Sequence, residues 1–235
     1  MAQKNQNASL DVNETLTKSE AFITKYKKQL IIGTVALLVL VGGFFGIKYG
    51  YLQPREEKAQ SLLTLGMDHM LNGEYDKALN GDGQFPGFTK IASDYSFTDA
   101  ANIAKLYAGQ AYAHKGDYKN AIQYLEDFSP KKDQTISASA IYLLGQCYAN
   151  DKQVERGIEY FKKAADKADN PSLSPLFLLE AGKLYETQKK NAEALAIYQQ
   201  IKADYPTSQL VQPQGTSTDA IGDAEIERYI ERVSK

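Results

Sequence analysis

The chain has no tryptophan, a single cysteine, Cys147, and only two histidines, His69 and His114, among its 235 residues. One cysteine excludes an internal disulfide and leaves the redox compartment open, because a buried thiol is tolerated in both the cytosol and the periplasm. The sequence also lacks the motifs H-E-x-x-H, C-x-x-C, G-x-S-x-G and the P-loop. We therefore expect no catalytic activity, no metal or other cofactor, and no small-molecule substrate.

An excess of basic residues is also missing, since 27 lysines and arginines stand against 29 acidic residues, for a net charge of -2. Proteins that bind nucleic acids need a basic face that displaces counterions from phosphates. The sequence therefore argues against a nucleic-acid partner. Its 43% hydrophobic and 24% charged residues are typical of a globular protein that can bury a core.

One long apolar run lies near the N-terminus, where no charged residue occurs between Lys28 and Lys48. Such a run is long enough to cross a hydrocarbon layer of roughly 30 Å as a helix. A cleaved signal peptide would have a shorter apolar region and a small-residue cleavage site, which residues 44–49 (FFGIKY) do not offer. We predict a single transmembrane helix over residues 29–51, anchored by apolar side chains that include Leu30, Ile31, Leu37, Leu40, Phe44 and Ile47.

The charges that flank this run indicate its orientation, because lysine and arginine close to a span are retained on the cytoplasmic side. On the N-terminal side, the lysines close to the run are Lys18, Lys25, Lys27 and Lys28. On the C-terminal side the basic residues are Lys48, Arg55 and Lys58, and the last two flank Glu56 and Glu57. We predict a cytoplasmic tail without regular structure over residues 1–28. The larger C-terminal part is then translocated, which in a bacterium places it in the periplasm.

The remainder of the chain contains an internal repeat centred on Gly109, Gly145 and Gly182, which lie 36 and 37 residues apart. In each copy a tyrosine follows the glycine by three residues, and a polar turn then leads to a second run with helical periodicity. Two positions recur in that second run. One is small in each copy (Ala121, Gly157 and Ala194), and the other is large (Leu125, Phe161 and Tyr198). This pattern predicts three helical hairpins whose small residues lie where the helices cross.

These positions resemble the consensus of the tetratricopeptide repeat, a helical pair of about 34 residues. Only the third copy ends with the proline of that consensus, Pro206. The resemblance implies an all-α fold in which the membrane helix precedes an α-solenoid over residues 52–206. We expect residues 207–235 to form a linker and a terminal capping helix over Asp219 to Val233.

A fourth, divergent copy precedes the other three, with Gly66 and Ala78 in the small positions and Phe88 in the large one. It carries an insertion near residues 80–87, where glycine and proline are dense enough to interrupt a helix. Two interpretations of this insertion remain open from the sequence: a passive surface loop, or a loop that contacts a partner.

In tetratricopeptide proteins the first helix of each hairpin lines the concave side, where peptides bind. This pattern indicates a groove formed by Leu106, Gln110, Tyr142, Gln146, Leu179 and Lys183, although each could also be ordinary surface. Leu106 and Tyr142 stand where a clamp for a terminal carboxylate would need polar or basic groups. We expect the groove to suit a helix or an extended segment instead.

The whole arrangement resembles the YfgM-like ancillary subunits of the bacterial SecYEG translocon. This resemblance implies a membrane-anchored adaptor of the inner membrane whose periplasmic repeats bind translocon subunits, emerging polypeptides and periplasmic chaperones. Two alternatives remain. One is a scaffold for another envelope machine, in cell division, peptidoglycan synthesis or secretion. The other is an accessory domain that binds glycan, which would need an aromatic-rich cleft with carboxylates.

Overall fold

A computed structural model describes residues 6–213 and 224–235, with side chains from residue 20 onward. The chain forms two compact units, one up to Arg55 and the other from Glu56. Every regular element within the described ranges is a helix, in this order: α1 Gln6–Ile47, a π-helical turn Lys48–Leu52, α2 Gln53–Leu71, α3 Tyr75–Asn80, α4 Phe88–Asp94, α5 Asp99–His114, α6 Tyr118–Glu126, α7 Ile136–Asn150, α8 Val154–Ala168, α9 Ser174–Thr187, α10 Asn191–Asp204 and α11 Glu225–Val233.

The N-terminal unit consists of α1 and the helical turn that follows it. The tail expected to lack regular structure is helical from Gln6 onward, and residues 1–5 lie outside the described ranges. No proline or glycine occurs from residue 6 to residue 32, so the two residue types that oppose helix formation most strongly are absent from this segment. The stretch Glu20–Leu71 contains a window with a mean hydropathy of 2.6, which makes it a candidate membrane span. The backbone also stays helical beyond Tyr51, where the predicted span ends.

The three predicted hairpins are formed by α5 with α6, α7 with α8, and α9 with α10. The glycines lie where the paired helices approach each other most closely. A methyl group added at Gly109 would meet Leu125 at 2.6 Å, and one added at Gly182 would meet the ring of Tyr198 at 2.3 Å. These contacts confirm the packing expected from the repeat pattern, in which only a small residue leaves room for the large one opposite.

The first hairpin is built in the same way from α2, α3 and α4, with Phe88 against Gly66. The insertion forms the connection between α3 and α4, and its Phe85 is buried at 2% exposure against the same glycine. Asp82 shapes this loop by accepting hydrogen bonds from the backbone N–H groups of Gln84 and Phe85. The loop therefore contributes one aromatic side chain to the core, while its residues 82–84 are exposed, and both interpretations of the insertion remain predictions.

Four hairpin turns share one geometry, with a residue of positive φ: Gly73, Gly116, Lys152 and Lys189. In each turn the next residue donates its N–H to the carbonyl five residues earlier, which belongs to His69, Tyr112, Tyr148 and Tyr185 in chain order. This is the Schellman closure of a helix end. His69 thus occupies the position that tyrosine holds in the other three hairpins.

The C-terminal helix α11 covers the end of the last hairpin. Ile226 and Val233 are buried in the same core as Tyr198, and Arg232 donates two hydrogen bonds to the carboxylate of Glu186. The helix was predicted to begin at Asp219, and the described helix begins at Glu225. Residues 214–223, which include Ile221 of the predicted helix, lie outside the described ranges. The segment expected to be a linker buries Leu210, whose carbonyl accepts the N–H of Ile226.

Candidate protein-binding surface

The six residues of the predicted groove lie on the first helices of the three clear hairpins, α5, α7 and α9. Five of them are partly exposed, but Leu179 is buried at 5% exposure, in the core that also holds Ile226 and Val233 of α11. The prediction for Leu179 was wrong, because its side chain is buried in this core. The five remaining residues, Leu106, Gln110, Tyr142, Gln146 and Lys183, are called the repeat groove below.

Tyr142 is the aromatic centre of the repeat groove. Its ring packs on Phe177 of the next hairpin, with ring centroids 4.6 Å apart, and its hydroxyl accepts a hydrogen bond of 2.9 Å from the side-chain amide of Gln146. Burial raises the pKa of the Tyr142 hydroxyl, and the nearby Glu180 raises it further. The phenol therefore stays neutral at physiological pH and can donate a hydrogen bond to a ligand.

Lys183 carries the charge at the α9 end of the repeat groove. Its ammonium lies 2.8 Å from the carboxylate of Glu180 and 5.7 Å from the ring centroid of Tyr229 on α11. Burial opposes the charged form, but the hydrogen bond that Lys183 donates to Glu180, together with the charge of Glu180 and the nearby Tyr229, outweighs it, so the pKa of Lys183 lies above its usual value. Sequence reasoning missed Glu180 and Tyr229, because neither follows the spacing of the predicted groove.

Gln110 and Gln146 face a cleft of about 340 Å³ between α5 and α7. Apolar and polar side chains complete its lining: Ala113, His114, Tyr118, Leu143, Cys147 and Asn150. His114 is fixed by stacking on Tyr75, with parallel rings 4.9 Å apart. Burial raises the pKa of the Cys147 thiol to about 12, so this sulfur is a neutral, unreactive part of the cleft.

The histidine and carboxylate cluster at the first hairpin holds a turn. Glu74 lies 2.7 Å from Nδ1 of His69, and Asp82 lies 3.2 Å from Nε2 on the other side of the ring. The two carboxylates therefore do not converge on one point. Across the part of the chain that the structure describes, no group of three histidine, cysteine or acidic side chains is arranged to hold a metal ion.

A family model described as "Tetratricopeptide repeat-like domain" matches residues 20–217. Two solved structures of Podosopora anserina TPR-like repeats, from a protein described as a kinesin light chain, have the same fold. Their TM-scores are 0.54 and 0.55 at 13% identity, over 76% of this chain and 85% and 86% of theirs. At this identity the likeness concerns the fold alone. No curated protein matches the sequence.

Proposed function

The chain belongs to the tetratricopeptide repeat-like domain family, and from this premise we propose that it is a non-enzymatic, membrane-anchored adaptor that binds protein segments in its repeat groove. The family fold is typical of protein-interaction scaffolds. The observation that carries the proposal is the row formed by Gln110, Gln146, Tyr142 and Lys183 on successive first helices.

This row matches the chemistry of an extended or helical polypeptide. The side-chain amides of Gln110 and Gln146 can pair with the N–H and C=O groups of a peptide backbone. Leu143 and the ring of Tyr142 provide apolar contact for its side chains. The lining of this cleft contains no carboxylate, which weighs against glycan binding within it.

Membrane anchoring is the second part of the proposal, and the residues at the two ends of the apolar run support it. Basic side chains lie against tyrosine rings there, with Lys25 over Tyr26 and Lys48 over Tyr49 at 5.3 and 5.5 Å from the ring centroids. Tyrosine and lysine of this kind are enriched at the interface between lipid and water. We infer a single span of the bacterial inner membrane, with the N-terminus cytoplasmic and the repeats periplasmic.

The partners that fit this location are SecYEG-type translocon subunits, emerging polypeptides and periplasmic chaperones. The test is purification of the intact protein from native membranes in mild detergent, followed by identification of the bound proteins. We expect translocon subunits together with periplasmic chaperones. Recovery of a cell-division, peptidoglycan-synthesis or secretion complex, with no translocon subunit or chaperone, would establish the scaffold alternative instead.

Two variants assign the binding to parts of the chain. Replacement of residues 30–51 by an unrelated span is expected to release partners recognised within the bilayer. The double variant Gln110→Ala with Gln146→Ala is expected to release those bound in the repeat groove. The matched control is Gln123→Ala with Gln199→Ala, two exposed glutamines on the second helices α6 and α10. Equal losses in both double variants would contradict a role for the groove.

A further inference from the structure

Large hydrophobic side chains are exposed near the starts of three first helices. Phe97, two residues before α5, is 92% exposed; Ile136, the first residue of α7, is 51% exposed; and Leu176, in the first turn of α9, is 46% exposed. Among the described residues from Glu56 onward, the remaining strongly exposed aliphatic side chains are Leu65 and Leu71. The apolar exposure of this unit is therefore concentrated at the starts of the first helices.

The starts of α2, α5 and α7 are joined to one another by polar contacts. The carboxylate of Glu56, in the first turn of α2, accepts the N–H groups of Asp99 and Ala100 at 2.6 and 3.0 Å. Asp99 pairs with Lys131 at 2.9 Å, and the N–H of Lys131 donates to the hydroxyl of Ser137 in the first turn of α7. These helix starts therefore lie side by side.

The same row continues to α9. Lys167, in the last turn of α8, donates to the backbone carbonyl of Lys131. The hydroxyl of Ser174, the first residue of α9, donates to the carbonyl of Ala165 at 2.7 Å. The starts of the four first helices thus form one continuous edge of the repeat unit, called the helix-start edge below, and it presents Phe97, Ile136 and Leu176 to solvent.

Phe97 has an unfavourable backbone conformation in addition to its exposure. Its φ of 72° is in the left-handed region, which costs a residue with a side chain roughly 1–2 kcal/mol. The adjacent Thr98 keeps the turn closed by donating both its N–H and its hydroxyl to the carbonyl of Tyr95. Strained backbone positions cluster at functional sites, and this favours Phe97 as part of a contact surface.

The helix-start edge carries charges of both signs. Its carboxylates are engaged within the unit: Asp99 with Lys131, Glu56 with backbone N–H groups, and Asp133 with Ser137. Lys132 is exposed beside them. Exposed aromatic and aliphatic side chains beside lysines are the combination that lies in the interfacial zone of a bilayer.

Chain connectivity brings a bilayer within reach. Eight residues, 48–55, separate Ile47 at the end of the apolar run from Glu56 on the helix-start edge. They span about 12 Å as a helix and at most about 29 Å fully extended. We propose that the helix-start edge docks on the lipid headgroups, with Phe97, Ile136 and Leu176 in the interfacial zone. This proposal rests on the membrane anchor of the proposed function.

The absence of tryptophan makes a direct test available, because each introduced tryptophan is the only one in the chain. The full-length protein is reconstituted into phosphatidylcholine vesicles with and without phosphatidylglycerol, and brominated acyl chains serve as the contact quencher. The edge variants are Phe97→Trp, Ile136→Trp and Leu176→Trp. Leu71→Trp, at the opposite end of α2, is the matched exposed control, and Phe44→Trp reports the span itself.

We expect strong quenching of Phe44→Trp, and clear quenching at the three edge positions in both kinds of vesicle, while Leu71→Trp keeps its emission. If Phe44→Trp is quenched and the edge positions behave like Leu71→Trp, the docking is refuted and the anchor stands. An edge that binds another protein would give this second result, since no partner is present in the vesicles. Failure of Phe44→Trp to be quenched would refute the anchor and the docking together.

Discussion

The substitution Gly182→Ala tests the packing that positions the repeat groove. The added methyl group would lie 2.3 Å from Cε1 and 2.8 Å from Cζ of the Tyr198 ring, whereas carbon atoms pack at about 3.5–4.0 Å. The ring must therefore move by more than about 1 Å. Tyr198 is fully buried, and its hydroxyl donates to Glu186, which in turn holds Arg232 of α11. The strain thus reaches the capping helix.

Three effects set the magnitude. Alanine gains about 1 kcal/mol over glycine within a helix. Overpacking a tight core costs typically about 1–3 kcal/mol. The hydrogen bond to the Glu186 carboxylate is worth about 1.5–3 kcal/mol, and weakening it costs part of this amount. The net expectation is a loss of roughly 2 kcal/mol, which for a unit of this size lowers the midpoint of thermal unfolding by about 4–8 °C.

The assay is thermal unfolding of the detergent-solubilised chain, followed by circular dichroism. In a background carrying Tyr198→Ala the added methyl group has space, so Gly182→Ala should become neutral or stabilising, and the two substitutions should be strongly non-additive. Gly145→Ala should cost less than Gly182→Ala, because its methyl group would meet Phe161 at 2.8 Å and that ring has no hydroxyl to hold α11. An increase in stability of about 1 kcal/mol for Gly182→Ala alone would refute the close crossing of α9 and α10.

Three further predictions follow from single contacts. Lys152→Gly and Lys189→Gly should each raise the free energy of unfolding by about 0.5–1 kcal/mol, since both turns have positive φ, and unchanged thermal midpoints would contradict this. Burial alone would raise the pKa of Glu186, but hydrogen bonds from Arg232 and Tyr198 hold it below its usual value. The stability that this carboxylate contributes is therefore present above the unfolded pKa of about 4.3, and it is lost as the pH falls through the lower pKa of the folded state. The thermal midpoint should depend less on pH in Glu186→Gln than in the parent chain when the two are compared between about pH 3 and 6. Phe97→Gly should leave the repeat unit as stable or more stable in thermal unfolding, yet reduce the lipid quenching of Ile136→Trp in the same chain.

The repeat architecture could be predicted because its packing recurs. Each glycine that lets two helices approach is paired with one large residue at a fixed distance along the chain, so Gly109, Gly145 and Gly182 mark the hairpins. The fourth hairpin was visible from Gly66 and Phe88 in the same way. Periodicity reports local geometry, and these contacts are local.

Features that depend on distant segments could not be predicted. Leu179 has the same place in its helix as Leu106 and Tyr142, yet it is buried in a core that also contains residues of α11, more than 40 residues later. Phe85 lies among residues that break helices, and only the structure shows that it fills space against Gly66. The hydrophobic helix-start edge likewise comes from four separate turns that the fold brings together.

The central claim is that the repeat groove binds protein segments on the translocated side of the membrane. Its most direct test is a photoreactive amino acid placed at Gln146 in intact cells, with Gln199 on α10 as the control position. The account predicts adducts at Gln146 that contain translocon subunits, emerging polypeptides or periplasmic chaperones, and few or none of them at Gln199. The same adducts in equal yield at both positions, or none at Gln146 beside abundant adducts at Gln199, would contradict it.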